Sequence, residues 1–294
     1  MDLSIKNNLV LITGGAGTLG LATSRCFLEE GTRVVMLDLA ARSQDDAVNA
    51  LMAEFPERAA FIAMDLSDAA SIKEAVCEVL ARFGAVHTVV SNAATFHFSP
   101  MRQWTTDAPL DAHYTVGLRG PVRLLREVWN RCPESLGGSV VIVSSVAGHV
   151  SEPDAFAYTP IKSAQKGLML SCAHEMAKHG GWAVAISPGH IWSAVHKSRA
   201  DAAGMDRADY ERMMPNIQST MLARFLEPHE VAQWIVLASS PLGKALTGQD
   251  VHVTLGIEAG GFNRAYATAV EDFNGEKRYR PPQTRQDRRP DKNP

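Results

Sequence analysis

The chain has 294 residues, of which 46% are hydrophobic and 21% charged, and its formal net charge is −3. These values are typical of a globular protein with a sizeable core. Basic residues are dispersed and slightly outnumbered by acidic ones, which excludes an electrostatic nucleic-acid surface. No apolar stretch approaches the roughly 18 residues of a membrane span, and the N-terminus lacks a secretory signal, so we expect a cytoplasmic protein.

The four cysteines are widely spaced and predict free thiols rather than a disulfide framework or a zinc site: Cys26, Cys77, Cys132 and Cys172. Residues 174–179 resemble a zinc-protease motif, but the two histidines are five positions apart and fall on different faces of a helix. No metal site is predicted.

The N-terminal segment has the order strand, glycine-rich turn and helix. The apolar run 9–12 is followed by Gly14, Gly17 and Gly20, and then by a helical pattern that ends at Gly31. Glycines allow the backbone to approach a pyrophosphate closely, and the N-terminus of the helix offers free N–H groups. This order predicts a nucleotide-binding turn.

A second strand, residues 33–37, is predicted to end at Asp38. A carboxylate at this point can accept hydrogen bonds from both ribose hydroxyls of an adenosine, and it repels a 2′-phosphate. The sequence therefore favours NAD over NADP. Arg42 leaves NADP as the alternative, because an arginine could bind the 2′-phosphate.

Strands and helices continue to alternate along the chain. Further strands are predicted at 59–64, 86–90, 140–143, 182–186 and 251–253, and helices at 68–83, about 107–131, from 158 onward and 230–238. Strands separated by helices form right-handed βαβ units and a parallel sheet that is covered on both faces. The predicted class is therefore α/β. Asp65 and Asn92 follow two of the strands and are expected at the ligand-binding edge.

Two segments differ in composition from the alternating part. Residues 190–227 lack strand signals and are expected to form a substrate-binding loop or lid. Residues 263–294 are predicted to be a polar C-terminal tail, since prolines and mixed charges dominate there. We therefore expect one domain over residues 1–262, followed by this tail.

The residues suited to chemistry lie between positions 144 and 162. Ser145 follows the strand 140–143, and its hydroxyl could hydrogen-bond a substrate oxygen. Tyr158 and Lys162 are four residues apart, so they would share one helix face. A neighbouring ammonium is expected to lower the pKa of the Tyr158 phenol, which would then exchange protons near neutral pH.

Together these features resemble the short-chain dehydrogenase/reductase family over about residues 5–256. The likeness depends on the glycine turn, Asp38, Asp65, the stretch 92–94, Ser145, Tyr158, Lys162, Pro188, Gly189 and the helix start at 230–232. It implies a single Rossmann-fold domain with a doubly wound, seven-stranded parallel sheet. It also implies a nicotinamide cofactor and a homodimer or homotetramer formed through the helices near 107–131 and 156–179.

The resemblance also implies roles for individual residues. Tyr158 would be the proton donor or acceptor, Lys162 would lower its pKa and bind the nicotinamide ribose, and Ser145 would hold the substrate oxygen. The cofactor would contact the turn, the strand ends and the segment after the sixth strand: Gly14, Gly17, Thr18, Leu19, Gly20, Asp38, Asp65, Leu66, Asn92, Ala93, Tyr158, Lys162, Pro188, Gly189 and Ile191. Candidate substrate contacts are Phe96, His97, His149, His190 and Trp192, with Phe98, Trp104 and His196 as further aromatic or polar candidates.

The chain departs from the family pattern at four places. Thr18 stands where single-domain members have glycine, which gives the glycine spacing of the longer epimerase/dehydratase branch. Gly117 stands where an asparagine usually helps to hold a water near the lysine. Ala94 replaces a common glycine, and residues 254–256 replace a frequent Asp-Gly-Gly.

The leading hypothesis is NAD-dependent hydride transfer between a small secondary alcohol and the corresponding ketone. Gly117 leaves open a catalytically impaired NAD-binding sensor or scaffold. The glycine spacing leaves open an epimerase or dehydratase that acts on a sugar nucleotide.

Overall fold

Seven apolar runs of the sequence each form a strand, and the seven strands make one parallel sheet. The computed structural model describes residues 2–150, 152 and 154–259, so the predicted tail at 263–294 lies outside the described residues. The strands are β1 (Leu9–Thr13), β2 (Arg33–Asp38), β3 (Ala59–Ala63), β4 (Thr88–Ser91), β5 (Ser139–Val143), β6 (Trp182–Pro188) and β7 (Asp250–Val253). Their order in the sheet is β3-β2-β1-β4-β5-β6-β7.

Helices cover both faces of the sheet, which confirms the predicted doubly wound Rossmann class. They are α1 (Thr18–Glu29), α2 (Asp46–Glu54), α3 (Ala69–Phe83), α4 (Ala108–Tyr114), α5 (Gly120–Arg131), α6 (Tyr158–Ala177), α7 (Ala194–Ala202), α8 (Arg207–Met213), α9 (Pro215–Gln218) and α10 (Pro228–Ser239). None of the helices within the described residues is both long enough and apolar enough to cross a membrane.

The continuous apolar runs follow from burial on both faces. In β1, Leu9 and Leu11 pack into a core with α3, α5 and α6, whereas Val10 and Ile12 pack into a second core with α1, α2 and α10. Successive side chains of a strand point to opposite faces, so a strand covered on both sides has no position that faces solvent. The ligand-binding crevice is expected between β1 and β4, where the strand order reverses.

The helix predicted at about 107–131 contains an interruption. α4 and α5 are joined by a π-helical turn at Thr115–Arg119, which includes Gly117. Such turns insert one extra residue into a helix and are frequent at functional sites. The sequence of residues 107–131 has a continuous helical periodicity, so it predicts one helix and does not predict this turn.

The segment predicted as a loop or lid is largely helical. Three short helices, α7 to α9, lie within residues 194–218, and the two ends of the segment meet where Ile191 pairs with Leu226. The helices are held by a small core of Tyr210, Ile217 and Phe225, and Trp192 packs against it. Each helix is short and has few apolar positions, so its periodicity was too weak to predict from sequence.

Candidate active site

The glycine turn between β1 and α1 is closely packed. Gly14 has a φ of 64°, a conformation that favours glycine, and a Cβ there would lie 2.8 Å from the Ala93 Cα. A Cβ on Gly20 would lie 2.1 Å from the Gly14 carbonyl oxygen, so only glycine allows α1 to start this close to the turn. Within the described part of the chain, no side chain caps the N-terminus of α1. Its N–H groups are therefore available to an anion.

Asp38 lies at the same turn. Its Oδ2 accepts a hydrogen bond from the Ala16 N–H at 3.0 Å. The Arg42 guanidinium donates to the Ala16 carbonyl oxygen at 2.7 Å and pairs with Asp45 at 2.6 Å. The Asp38 carboxylate, which the sequence assigned to an adenosine ribose, therefore lies next to the glycine turn. The neighbouring Arg42 side chain is bound to Ala16 and Asp45.

Asn92 joins the ends of β1 and β4. Its side-chain amide donates to the carbonyl oxygens of Thr13 at 3.0 Å and Gly14 at 3.1 Å. The Thr13 hydroxyl accepts hydrogen bonds from the backbone N–H groups of Asn92 and Ala93. These bonds fix the turn against β4, so the Asn92 side chain has a structural role at the predicted cofactor edge.

The other predicted cofactor residues occupy the same edge of the sheet in different ways. Asp65 follows β3 and accepts a hydrogen bond from the Ser67 N–H, while the Leu66 side chain is buried in the core. Pro188 ends β6, and the Gly189 N–H donates to the Val253 carbonyl oxygen. Thr18, which replaces a family glycine, accepts a hydrogen bond from the Ala194 N–H at 3.3 Å and so connects the turn to α7.

Tyr158 and Lys162 are brought together at the start of α6. Both side chains are buried, and the Lys162 Nζ lies 5.5 Å from the centre of the Tyr158 ring. The Nζ donates to the Val143 carbonyl oxygen at 2.9 Å, so the lysine is anchored to the end of β5. The Ser145 hydroxyl accepts a hydrogen bond from the Ala147 N–H at 3.1 Å and acts to lower the pKa of the Tyr158 phenol. The three residues predicted from spacing therefore meet at the carboxyl end of β5.

The predicted lowering of the Tyr158 pKa is contradicted by the burial of the phenol. Burial raises the pKa of the phenol, the Ser145 hydroxyl partly opposes this, and the negative charge of Glu152 raises the pKa further. Burial also lowers the pKa of Lys162 to about 7. Burial removes the hydration of both charged forms, and this loss outweighs the stabilisation that the neighbouring groups provide.

Three aromatic side chains surround the Tyr158 ring. Phe98 and Phe96 approach it from the loop after β4, with ring centres at 5.2 Å and 6.0 Å, and His113 meets it edge-on at 5.6 Å. The His113 Nε2–H donates to the His97 carbonyl oxygen, and its Nδ1 accepts from the Thr95 hydroxyl at 2.8 Å. Burial lowers the pKa of His113, which agrees with a neutral imidazole.

His113 and Thr95 were not among the predicted site residues. His113 stands one helical turn before Gly117, so the helical spacing was the one signal that could have found it.

Gly117 is explained by its neighbour Ile161. A Cβ on Gly117 would lie 2.6 Å from the Ile161 Cγ2 methyl, which occupies the space of a side chain at this position. The Gly117 carbonyl oxygen accepts a hydrogen bond of 2.8 Å from the buried Gln165 amide. Next to it is a cavity of about 10 Å³, close to the smallest space for one water, lined by Ala94, Thr95, His113, Gly117, Tyr158, Ile161 and Lys162.

The remaining predicted substrate residues fall into separate environments. His190 is 3.4 Å from the Glu152 carboxylate, and burial lowers the pKa of its imidazole. Trp192 packs against Phe225 at 5.2 Å and under the Arg207 guanidinium at 4.9 Å, so it belongs to the small core of residues 190–227.

Three further candidates are likewise engaged elsewhere. His196 packs against Phe225, and burial lowers its pKa to about 4. Trp104 donates to the Ser99 hydroxyl. His149 pairs with Asp250 at the edge of the sheet instead of facing Tyr158.

The fold and the site define an α/β nucleotide-binding protein with a phenol, an ammonium and a hydroxyl at its ligand edge. A family model described as enoyl-(acyl carrier protein) reductase matches residues 14–258. The chain belongs to the short-chain dehydrogenase/reductase family of oxidoreductases, which confirms the resemblance found in the sequence.

Individual relatives align over most of their length. The chain is 28% identical over 259 residues to momilactone A synthase of Oryza sativa subsp. japonica, covering 86% of this chain and 90% of that protein. It is 29% identical over 217 residues to sorbitol dehydrogenase of Cereibacter sphaeroides, covering 72% and 83%. L-sorbose reductase from Gluconobacter frateurii, solved with NADPH and L-sorbose, shares the fold with a TM-score of 0.79 at 22% identity, covering 87% of this chain and 98% of that chain.

Proposed function

We propose that this protein is an NAD-dependent oxidoreductase that transfers a hydride between a secondary alcohol or ketone and the nicotinamide. The observation that carries the proposal is the burial of Tyr158 beside Lys162, with the Ser145 hydroxyl against the phenol. Relatives named as dehydrogenases and reductases support chemistry at a CH–OH or keto group.

The residues at the sheet edge fit a dinucleotide. The uncapped N-terminus of α1 suits a pyrophosphate, and the Asp38 carboxylate beside the turn suits an adenosine ribose. When bound, the nicotinamide supplies the hydride acceptor or donor. We favour NAD because Asp38 would repel a 2′-phosphate and because the Arg42 guanidinium is held by Ala16 and Asp45.

In the oxidation direction, Tyr158 accepts the proton of the substrate hydroxyl while the Ser145 Oγ–H donates to the same oxygen. This requires an ionised phenol, which the burial of the Tyr158 side chain disfavours. A positive charge beside a phenol lowers its pKa, and protonated Lys162 supplies one. A bound oxidised nicotinamide would supply a second. We therefore propose that Lys162 and the cofactor together would make Tyr158 a competent base.

The surroundings of Tyr158 support a substrate with an apolar face. Phe96 and Phe98 offer exposed ring surface beside the phenol. His190 and Glu152 form a polar pair in the loops that flank the same site. A panel of aromatic, steroid, sugar and aliphatic alcohols, with NAD and NADP in parallel, would identify the substrate class through reduced cofactor formation.

Tyr158→Phe tests the catalytic assignment. Loss of the hydroxyl should reduce kcat by on the order of 100-fold or more, because general acid–base catalysis contributes factors of this size. The affinity for NAD, measured by calorimetry, should stay nearly constant. Tyr114→Phe is the matched control, since this exposed tyrosine lies outside the site. Unchanged turnover in Tyr158→Phe would remove Tyr158 from the mechanism.

The second candidate is an NAD-binding sensor or scaffold without turnover. It is favoured by the buried phenol and by the absence of the family asparagine at Gly117. Tight NAD binding combined with no cofactor reduction across the alcohol panel would support it. An epimerase or dehydratase is less well supported, since residues 190–227 add only three short helices between ends that pair with each other.

We also propose a homodimer or homotetramer formed through α5 and α6. Val122 on α5 and Leu170 on α6 expose 45% and 48% of their surface, and an interface through these helices would cover both apolar side chains. Light scattering on the purified chain should give a mass of two or four subunits. A monomer at micromolar concentration would contradict this assignment.

A further inference from the structure

A cluster of metal-binding side chains lies at the β7 edge of the sheet, apart from the proposed active site. His149 comes from the loop after β5, and Asp250 and His252 come from β7. One potential ligand atom of each lies within 4.8 Å of the other two. We propose that these three residues bind a divalent transition-metal ion of the zinc type.

The distances suit a common metal centre. The Asp250 Oδ2 lies 2.8 Å from the His149 Nε2 and 3.8 Å from the His252 Nε2. In a tetrahedral zinc site with bonds of about 2.0–2.1 Å, neighbouring ligand atoms are about 3.3 Å apart. The two observed distances bracket this value. Small side-chain movements would therefore bring all three atoms around one ion.

The surrounding hydrogen bonds orient the ligands. The His252 Nδ1 bonds the Glu258 carboxylate at 2.6 Å, which leaves its Nε2 facing Asp250 as an unprotonated ligand. Glu258 is itself held by the Thr254 hydroxyl at 2.6 Å. The Ser187 hydroxyl donates to the other oxygen of Asp250 at 2.7 Å. A carboxylate behind a ligand histidine is the arrangement typical of metal sites.

The ligand types favour a transition metal over magnesium or calcium. Two imidazoles and one carboxylate suit zinc, nickel, cobalt or iron, whereas magnesium and calcium prefer oxygen ligands alone. The Asp250 side chain is 4% exposed, while those of His149 and His252 are 23% and 34% exposed. One side of the site is open to solvent, so water or a group from another molecule would complete the coordination.

The position of the site gives the ion a structural role. His149 lies in the segment that continues to Tyr158, and β7 is an edge strand. A metal bound to both would tie the loop after β5 to the edge of the sheet. Binding should therefore stabilise the folded chain, since it acts on the native state only.

The experiment measures zinc bound to the full-length chain without a histidine tag. Equilibrium dialysis followed by elemental analysis should give one zinc per chain, and cobalt should give the visible absorption of a coordinated ion. His149→Ala and His252→Ala should each abolish stoichiometric binding. Glu258→Gln retains all three ligands and should weaken binding about 10- to 100-fold. His174→Ala, at an exposed histidine on α6, is the matched control and should bind normally.

The proposal is overturned if the native chain binds no stoichiometric zinc, which would make the cluster a simple hydrogen-bonded group. It is also overturned if His149→Ala and His252→Ala bind zinc as the native chain does. Circular dichroism shows whether each variant is folded. If an alanine variant does not fold, Glu258→Gln still tests the proposal, because it retains all three ligands. The readout is bound metal, so its outcome is independent of the proposed hydride transfer.

Discussion

Replacement of Lys162 by methionine tests the electrostatics of the proposed active site. Burial lowers the pKa of Lys162 from its ordinary value of 10.5 to about 7 in the folded chain. Between these two values the unfolded chain binds more protons than the folded chain, so this lysine makes stability rise with pH. The destabilisation is fully present below pH 7 and disappears as the pH approaches 10.5.

The size of the effect follows from the shift. One pKa unit corresponds to about 1.4 kcal/mol, so the whole shift corresponds to about 5 kcal/mol of lost stability at low pH. Between pH 7 and pH 9 the free energy of unfolding should rise by about 2 kcal/mol on account of this one group. Methionine has a similar length and no charge, so Lys162→Met should lack this rise.

The assay is urea unfolding of the native chain and of Lys162→Met at several pH values from 7 to 9. The difference in unfolding free energy between the two should change by about 2 kcal/mol over this range, in favour of the native chain at higher pH. Lys166→Met, an exposed lysine one turn further along α6, is the control and should show a constant difference. A pH-independent difference for Lys162→Met would refute the lowered pKa.

Two further predictions concern the cofactor and the packing of the site. Asp38→Asn removes the negative charge that would repel a 2′-phosphate, so the ratio of kcat/KM for NADP to that for NAD should rise at least about tenfold. An unchanged ratio would show that Asp38 does not select the cofactor. Gly117→Ala should cost about 1–3 kcal/mol of stability by overpacking against Ile161, and Ile161→Ala about 2–5 kcal/mol. In urea unfolding the double variant should cost at least about 1 kcal/mol less than the two single costs together, whereas additivity would mean that the residues do not compete for this space.

Much of the fold could be predicted because its signals are local. Apolar runs, glycine turns and helical periodicity are properties of neighbouring residues, and all seven strands were found from them. Asp68 was expected to start a helix, and it caps α3 through the Ala70 N–H. The helices α2 and α7 to α9 were not predicted, because each has nine residues or fewer and so shows the helical period over few turns.

The candidate site could be predicted only in part. Spacing and strand order were enough to bring Ser145, Tyr158 and Lys162 together. The spacing of these residues does not predict their protonation states. Those states depend on burial, and burial depends on which other segments cover the side chains. Phe98 and His113 come from other segments and exclude water from the phenol. The pKa values therefore shift away from the charged forms.

The sequence by itself determined the parallel α/β sheet, the glycine turn and the edge at which the predicted catalytic side chains meet. Tertiary structure alone decided that Ile161 fills the space beside Gly117 and that His149 meets His252 across about a hundred residues of chain. The physical reason is the range of the interactions. Backbone preferences act between neighbours along the chain, whereas burial, packing and shared ligands depend on residues that only folding brings into contact.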